Sequence, residues 1–421
     1  MKLTTCCFLM LSIFLSPFSM HSQNFEAGLQ LRPRYEFRNG FKTLLVEEED
    51  PASFISQRSR LFLGFENEAL QVKFSVQSTG VWGDSPTMRL EDNNALSVFE
   101  AYGQYQVSPQ FILRVGRQVL TYDNQRILGE VDWAQQAQSH DAALLSWWLA
   151  GNHRLDVGAA YNSSAETVAR IPYNVNSYKN MQFAWYHLDV NKVGFSFLLL
   201  NTGYEHGLAG ASPKVDYLQT YGAFHQFNSG NFFGNVAAYG QTGERNDREV
   251  DAWYAGINLN YKLNTAWTLG MGGEYFSGTD RSESSEHIFS FTPLFGTNHG
   301  FNGSMDYFFV GNHQNDVGLL DLYGKLSWKS SKSEVFVAPH FFSSAAEVGA
   351  GYAPYLGTEI DFVGLYKVQR DFSIGIGYSQ MFASATLEVL KGGDRDRTQN
   401  WAWIMLNFTP KIFQFSPKDL Q

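Results

Sequence analysis

The stretch Phe25-Glu26-Ala27-Gly28-Leu29-Gln30-Leu31-Arg32-Pro33-Arg34-Tyr35-Glu36-Phe37-Arg38 decides the fold. Phe25, Ala27, Leu29, Leu31, Tyr35 and Phe37 fall on one side of it, and Glu26, Gln30, Arg32, Arg34, Glu36 and Arg38 on the other. Successive side chains of a strand point to opposite faces, so this period of two predicts a long β-strand with one apolar and one charged face. A sheet in water would bury the apolar face against a second layer. The chain offers almost no helical pattern to supply one, and the same period returns in segment after segment, so the predicted cover is lipid.

Outward from this stretch, Leu61, Leu63 and Phe65 alternate with Arg58, Arg60 and Glu66, and Leu70, Val72, Phe74 and Val76 with Gln71, Lys73, Ser75 and Gln77. Phe99, Ala101 and Tyr105 follow against Glu100, Gln104 and Gln106, then Phe111, Leu113 and Val115 against Arg114, Gly116 and Gln118. Further strands are predicted over roughly 141–149, 153–161, 180–189, 192–200, 217–227, 232–242, 250–262, 266–276, 317–328, 333–342, 355–367, 372–382 and 398–409, a total of eighteen. Every second connection is short and built of turn residues, among them Ser108-Pro109, Gly151-Asn152, Asn191, Asn264-Thr265 and Arg370-Asp371. The intervening connections, including 39–55, 81–96, 119–140, 162–179, 201–216 and 277–316, are long and polar. This sorting predicts an all-β fold, a transmembrane antiparallel up-and-down β-barrel of about 18 strands, with short periplasmic turns and long extracellular loops. The last strand, with Ala402, Ile404, Leu406 and Phe408 against Trp401, Trp403 and Asn407, reads as a closing strand for the barrel assembly machinery.

Composition agrees with this class. The chain of 421 residues is 44% hydrophobic with a mean hydropathy of −0.25, and has no apolar run long enough for a membrane helix outside its N-terminus. Its charged fraction of 17% lies below the roughly 25% of soluble domains, and 35 Phe and 21 Tyr suit strands ringed by interfacial aromatics. Met1-Lys2, the apolar run Phe8 to Leu15 and the small or polar residues Ser19 to Gln23 predict a signal peptide over 1–23. Both cysteines, Cys6 and Cys7, lie within it, so no disulfide or cysteine metal site is expected. Removing Lys2 leaves 30 basic against 41 acidic residues, a net charge of −11, which argues against nucleic acid as a partner. One barrel over 24–410 and a periplasmic C-terminal tail over 411–421 account for the rest.

Eighteen strands enclose a lumen too wide for side chains alone to fill, so a pore is expected. If the polar faces point inward, Arg32, Arg34, Arg38, Arg58 and Arg60 stand side by side, with Lys73 and Arg114 on the strands that follow. Rings of Arg and Lys select anions, and the guanidinium fork matches carboxylates. Inward acids Asp156, Glu274, Asp321, Glu334, Glu359 and Asp361 confine the basic surplus to one arc of wall. The segment 114–133 ends in a polar, non-alternating stretch carrying Arg126, Asp132 and Trp133, of a length that folds into barrel lumens.

Arg58-Ser59-Arg60-Leu61, Glu100-Ala101-Tyr102, Gly116-Arg117-Gln118, Gln125-Arg126-Ile127-Leu128-Gly129 and Asp132-Trp133 resemble the alginate-export family of outer-membrane porins, over roughly residues 55–145. The resemblance implies a monomeric 18-stranded barrel in the outer membrane of a Gram-negative bacterium, with an arginine-rich constriction through which an anionic polyuronate leaves the cell. On this chain it implies Arg58, Arg60, Arg114, Arg117 and Arg126 as constriction or substrate-path residues, with Glu100 and Asp132 holding them.

The expected activity is therefore passive passage of anionic saccharides or other organic anions, without catalysis and without a cofactor or metal, with outer-membrane lipid and lipopolysaccharide as surroundings. His287, His299 and His313 share one loop at no spacing that matches a metal site, and Glu47 to Asp50 reads as a solvated acidic run. Trp147, Trp148, Trp401 and Trp403 are expected as interfacial anchors. The rival readings are a general porin for other solutes, an adhesin acting through its loops, and an outer-membrane hydrolase. The last needs a serine beside a histidine, and Ser196 and His225 show no such local arrangement.

Overall fold

A computed structural model describes residues 23–85, 96–173, 177–206, 213–281, 287–313 and 316–416. The expected signal peptide, apart from Gln23, and residues 417–421 of the expected tail lie outside them. Among the described residues, eighteen antiparallel strands form the wall: β1 (Gln23–Asn39), β2 (Ala52–Asn67), β3 (Leu70–Val81), β4 (Ser97–Ser108), β5 (Phe111–Gln118), β6 (His140–Ala150), β7 (His153–Tyr161), β8 (Asn180–Val190), β9 (Val193–His206), β10 (Lys214–Ser229), β11 (Phe232–Arg245), β12 (Arg248–Lys262), β13 (Trp267–Phe276), β14 (Leu319–Lys329), β15 (Ser333–Ser343), β16 (Tyr355–Gln369), β17 (Phe372–Ala383) and β18 (Gln399–Phe408). Each pairs with its neighbours in sequence, and β1 pairs with both β2 and β18, with Tyr35 opposite Ile404 and Arg38 opposite Trp401, so the barrel is closed.

The alternation sets the two faces as the sequence predicts. In β1, Leu29, Leu31 and Tyr35 are exposed on the outer face while Arg32, Arg34 and Glu36 are buried inside. The same holds around the wall, where Val236, Ile257, Leu326, Phe341, Ile360, Ile376 and Ile404 form an exposed apolar belt. A continuous belt on this scale far exceeds the apolar patches of proteins in water and suits a hydrocarbon surrounding.

Two details depart from the expected connections. The long connection over 201–216 contracts, because β9 runs on to His206 and β10 begins at Lys214. The rim that carries the long loops also holds one two-residue connection, Asn246-Asp247 between β11 and β12. Both residues sit at positive φ (52° and 60°), the twist that lets two residues join paired strands. The segment expected as a tail also starts inside the sheet: Lys411–Phe415 forms a strand that continues past Pro410 along the first part of β1, with Phe25 opposite Phe415.

Candidate functional site

Two of the long connections turn inward. The β5–β6 loop, residues 119–139, buries Leu120, Tyr122, Ile127 and Leu128 against lumen-facing Leu144, Phe183 and Trp185. Burying each such side chain is worth about 1.5–3 kcal/mol, which is why this loop does not stay in water. The Tyr122 hydroxyl donates to Asp156 (2.9 Å), and Trp185 Nε1 donates to Asp123 (3.2 Å). The β13–β14 loop, residues 277–318, meets it across the lumen. Phe295 N donates to Ile127 O (3.0 Å), Gly129 N to Phe295 O (2.9 Å) and Thr297 N to Gln125 O (2.9 Å).

Arg126 stands at this junction. Only 1% exposed, it pairs with Glu274 (3.0 Å), donates to Asn298 and Asn302, and lies over the rings of Phe301 (4.3 Å) and Phe276 (4.6 Å). Removing one member of such a buried pair is costly because the other charge is left unpaired. The second loop is fastened to the acidic side of the wall in the same manner. Asn302 donates to Glu274 and Asp321, Met305 N to Glu359 (2.8 Å) and Ser304 N to Asp361 (3.2 Å). Gly303, at φ 81°, permits this approach, since a Cβ there would lie 2.8 Å from the Glu359 carboxylate.

The first loop lies across the basic arc. Asp132 bridges Arg58 (2.7 Å) and Arg32 (3.2 Å). Arg32 also donates to Gln135 and to the carbonyls of Trp133 and Ala134, and Arg58 to the carbonyl of Gln135. Arg34 donates to the Trp133 carbonyl (2.8 Å) and to Glu36 (2.9 Å), with its guanidinium 4.0 Å from the Trp133 ring. Arg38 pairs with Glu36 (2.8 Å). Arg32, Arg34 and Arg58 are thus buried against the loop and do not line an open constriction as expected. Their inward direction follows from strand parity, whereas their cover comes from a segment some hundred residues away.

The arginines and lysine left uncovered lie farther along the wall, toward the short turns. Arg60 donates to Gln77 (2.7 Å) over the Phe99 ring, Arg114 donates to Gln104 (2.8 Å), and Arg154 pairs with Asp156 (2.7 Å). Glu100, expected to hold constriction arginines, pairs instead with Lys73 (2.9 Å). Arg114 and Arg154 line a pocket of about 240 Å³ with Tyr122, Asp123 and Trp185. Arg117 is not among these residues. It shares the parity of exposed Leu113 and Val115 and pairs on the outer face with Asp141 (2.8 Å).

A larger chamber of about 490 Å³ lies beneath the meeting loops, lined by Trp133, Phe301, Tyr323, Lys325, His340, Asp361, Trp401 and Trp403. Trp401 and Trp403 are therefore lumen residues and not interfacial anchors, as their parity opposite Ile404 requires. Trp403 presses on β17, where a Cβ on Gly377 would come 2.1 Å from its Nε1. Trp133 stacks on His299 (4.4 Å) and meets Trp401 and Trp403 edge-on. The other loop histidines go elsewhere: His287 sits in a two-residue strand beside β12, and His313 is buried, its Nε2 donating to the Gly318 carbonyl (3.0 Å) and its Nδ1 accepting from Lys391 Nζ (3.3 Å). Burial first, then the Lys391 charge, holds His313 below the ordinary histidine range, and burial pushes Lys391 down to about 8.

A serine–histidine contact does exist, with a different histidine. His187 Nδ1 lies 2.8 Å from Ser196 Oγ and its Nε2 lies 3.2 Å from Asp189. Ser196 is buried on β9, which pairs along its length with both β8 and β10. Backbone N–H groups in such ladders are spent on carbonyls and are not aimed at an oxyanion, so the contact braces the wall.

Set beside known proteins, the barrel has counterparts. The family model described as alginate export matches residues 23–161. That span runs from β1 through β7 and takes in the covered arginines, the first inward loop and Arg114 and Arg154. No curated protein matches the sequence. Solved barrels match over nearly the whole chain: Acinetobacter baumannii OccAB4 (TM-score 0.64, 11% identity, covering 94% of this chain and 100% of that one) and Pseudomonas aeruginosa OpdL (0.63, 13%, 92% and 99%). Pseudomonas aeruginosa OccK2 (OpdF), solved in complex with glucuronate, matches at 0.61 with 13% identity, covering 92% and 97%. At these identities the likeness establishes the fold.

Proposed function

We propose that the protein is a passive outer-membrane channel for small organic anions, acidic sugars among them, with its long loops outside the cell and its short turns in the periplasm. The observation that carries this reading is the uncovered basic column of Arg60, Lys73, Arg114 and Arg154 on the lumen side of β2, β3, β5 and β7, each already near an acid or amide that loosens its grip on a passing ligand. Basic groups lining a pore replace part of an anion's hydration, and neighbouring acids keep release fast. The alginate-export match and the glucuronate-bound barrel of the same fold support an acidic sugar as the solute. The chamber is of monosaccharide scale, so a polyuronate chain requires the two inward loops to separate. Reversal potentials in planar bilayers test the proposal: an anion preference and current interruptions on adding glucuronate are expected, and a cation preference overturns it.

A further inference from the structure

The two-residue turn Asn246-Asp247 brings together side chains that the barrel otherwise keeps apart. Asp216 near the start of β10, His206 at the end of β9 and Asp247 in the turn present ligand atoms that all lie within 4.8 Å of one another at the long-loop rim. His206 Nε2 is 2.8 Å from Asp216 and its Nδ1 is 3.7 Å from Asp247. Glu244 adds a third carboxylate, reached through Lys214, whose Nζ lies 2.6 Å from Asp247, 2.9 Å from Asp216 and 3.1 Å from Glu244.

We propose that His206, Asp216 and Asp247 form a binding site for a divalent transition metal of the zinc class, and that Lys214 is the internal cation which the metal displaces. With a neutral imidazole, three carboxylates and one ammonium leave a local charge of −2; exchanging the ammonium for a divalent ion brings it to −1. Asp216 is 1% exposed; its Oδ2 accepts from Asp247 N (2.8 Å), which fixes the carboxylate and turns Oδ1 to Lys214 and Oδ2 to His206 Nε2. A backbone hydrogen bond that orients a ligating carboxylate is how a protein prepares a metal ligand. Ligands about 2.0–2.1 Å from a tetrahedral ion stand roughly 3.3 Å apart, within the spread seen here. Imidazole beside carboxylates favours zinc-class ions over Ca²⁺ or Mg²⁺, which take oxygen ligands. The Lys214 side chain is half exposed on a flexible stem and is free to swing into water.

The test is titration calorimetry of Zn²⁺ into the purified full-length barrel in detergent micelles, with heat-modifiable gel migration as the check on folding. One saturable site is expected in the wild type, with affinity lowered by about tenfold or more in H206Q and in D247N, raised in K214Q, and weaker for Ca²⁺ than for Zn²⁺. Absence of saturable Zn²⁺ binding in both the wild type and K214Q overturns the site, as does binding that H206Q and D247N leave unchanged. Equal affinity for Ca²⁺ overturns the choice of metal class.

Discussion

Arg34 and Arg114 come from strands of the same kind, point the same way, and meet different fates. Arg34, like Arg32 and Arg58, gives its donors to carbonyls and acids at the foot of an inward loop. Arg114, with Arg154, faces a pocket and donates to a neutral amide. The first group holds the loop in place, and on the proposed function the second is left to meet a solute. A basic residue on a pore wall thus acquires its role from what lies over it as much as from the direction it points.

The largest effect expected from breaking this contrast is at Arg126. Arg126→Ala leaves Glu274 buried without its partner, which costs on the order of 3–5 kcal/mol and falls on the contact between the two loops. Single-channel conductance should rise severalfold, and protease cleavage within 119–139 should accelerate; an unchanged conductance shows that the loops do not limit the pore. Next in size, Arg114→Gln combined with Arg154→Gln should lower the anion-to-cation permeability ratio severalfold, while Arg34→Gln in the wild-type background should barely move it. Equal losses from the two changes erase the distinction between covered and open arcs. The same Arg34→Gln made in the Arg126→Ala barrel should regain an effect on selectivity, because the loop no longer occupies that arginine.

The smallest effect concerns pH. His313 is buried facing Lys391, Asp316 and Arg281, and stays neutral in the docked loop below the ordinary histidine pKa. A released loop would protonate this residue near 6.5, so the released state takes up the proton first. Docking therefore weakens as pH falls below about 6.5 and is insensitive to this group above it. Open probability should increase modestly between pH 7.5 and 5, and His313→Gln should flatten the trend.

Much of the wall was legible because a period of two states both the strand and its faces: all eighteen strands appear where alternation put them. The lumen was not, since Arg58 and Asp132, or Arg126 and Glu274, meet only after the barrel has closed. Trp401 and Trp403 had a readable inward parity, overridden by the general habit of tryptophan at membrane interfaces. Asn246-Asp247 carries the residues of a tight hairpin turn, but lay between two predicted strands in a gap that looked like an ordinary connection. His206, Asp216 and Asp247 match no spaced motif, because three separate strand ends bring them together.

The strand Lys411–Phe415 bears on how the barrel is made. β1 has two partners on its second edge, β18 as far as Phe408 and then this short continuation, so the first residues of the wall meet the last ones. Closing that seam spans nearly the whole chain and is the most distant contact the fold must form, which places it late in folding. Until residues 411–415 arrive, the start of β1 is an open edge with unpaired N–H and C=O groups, the kind of edge that pairs with other chains. The final residues of the wall thereby protect its beginning from aggregation, and a chain cut at residue 410 should complete its other hairpins yet remain prone to joining its neighbours edge to edge.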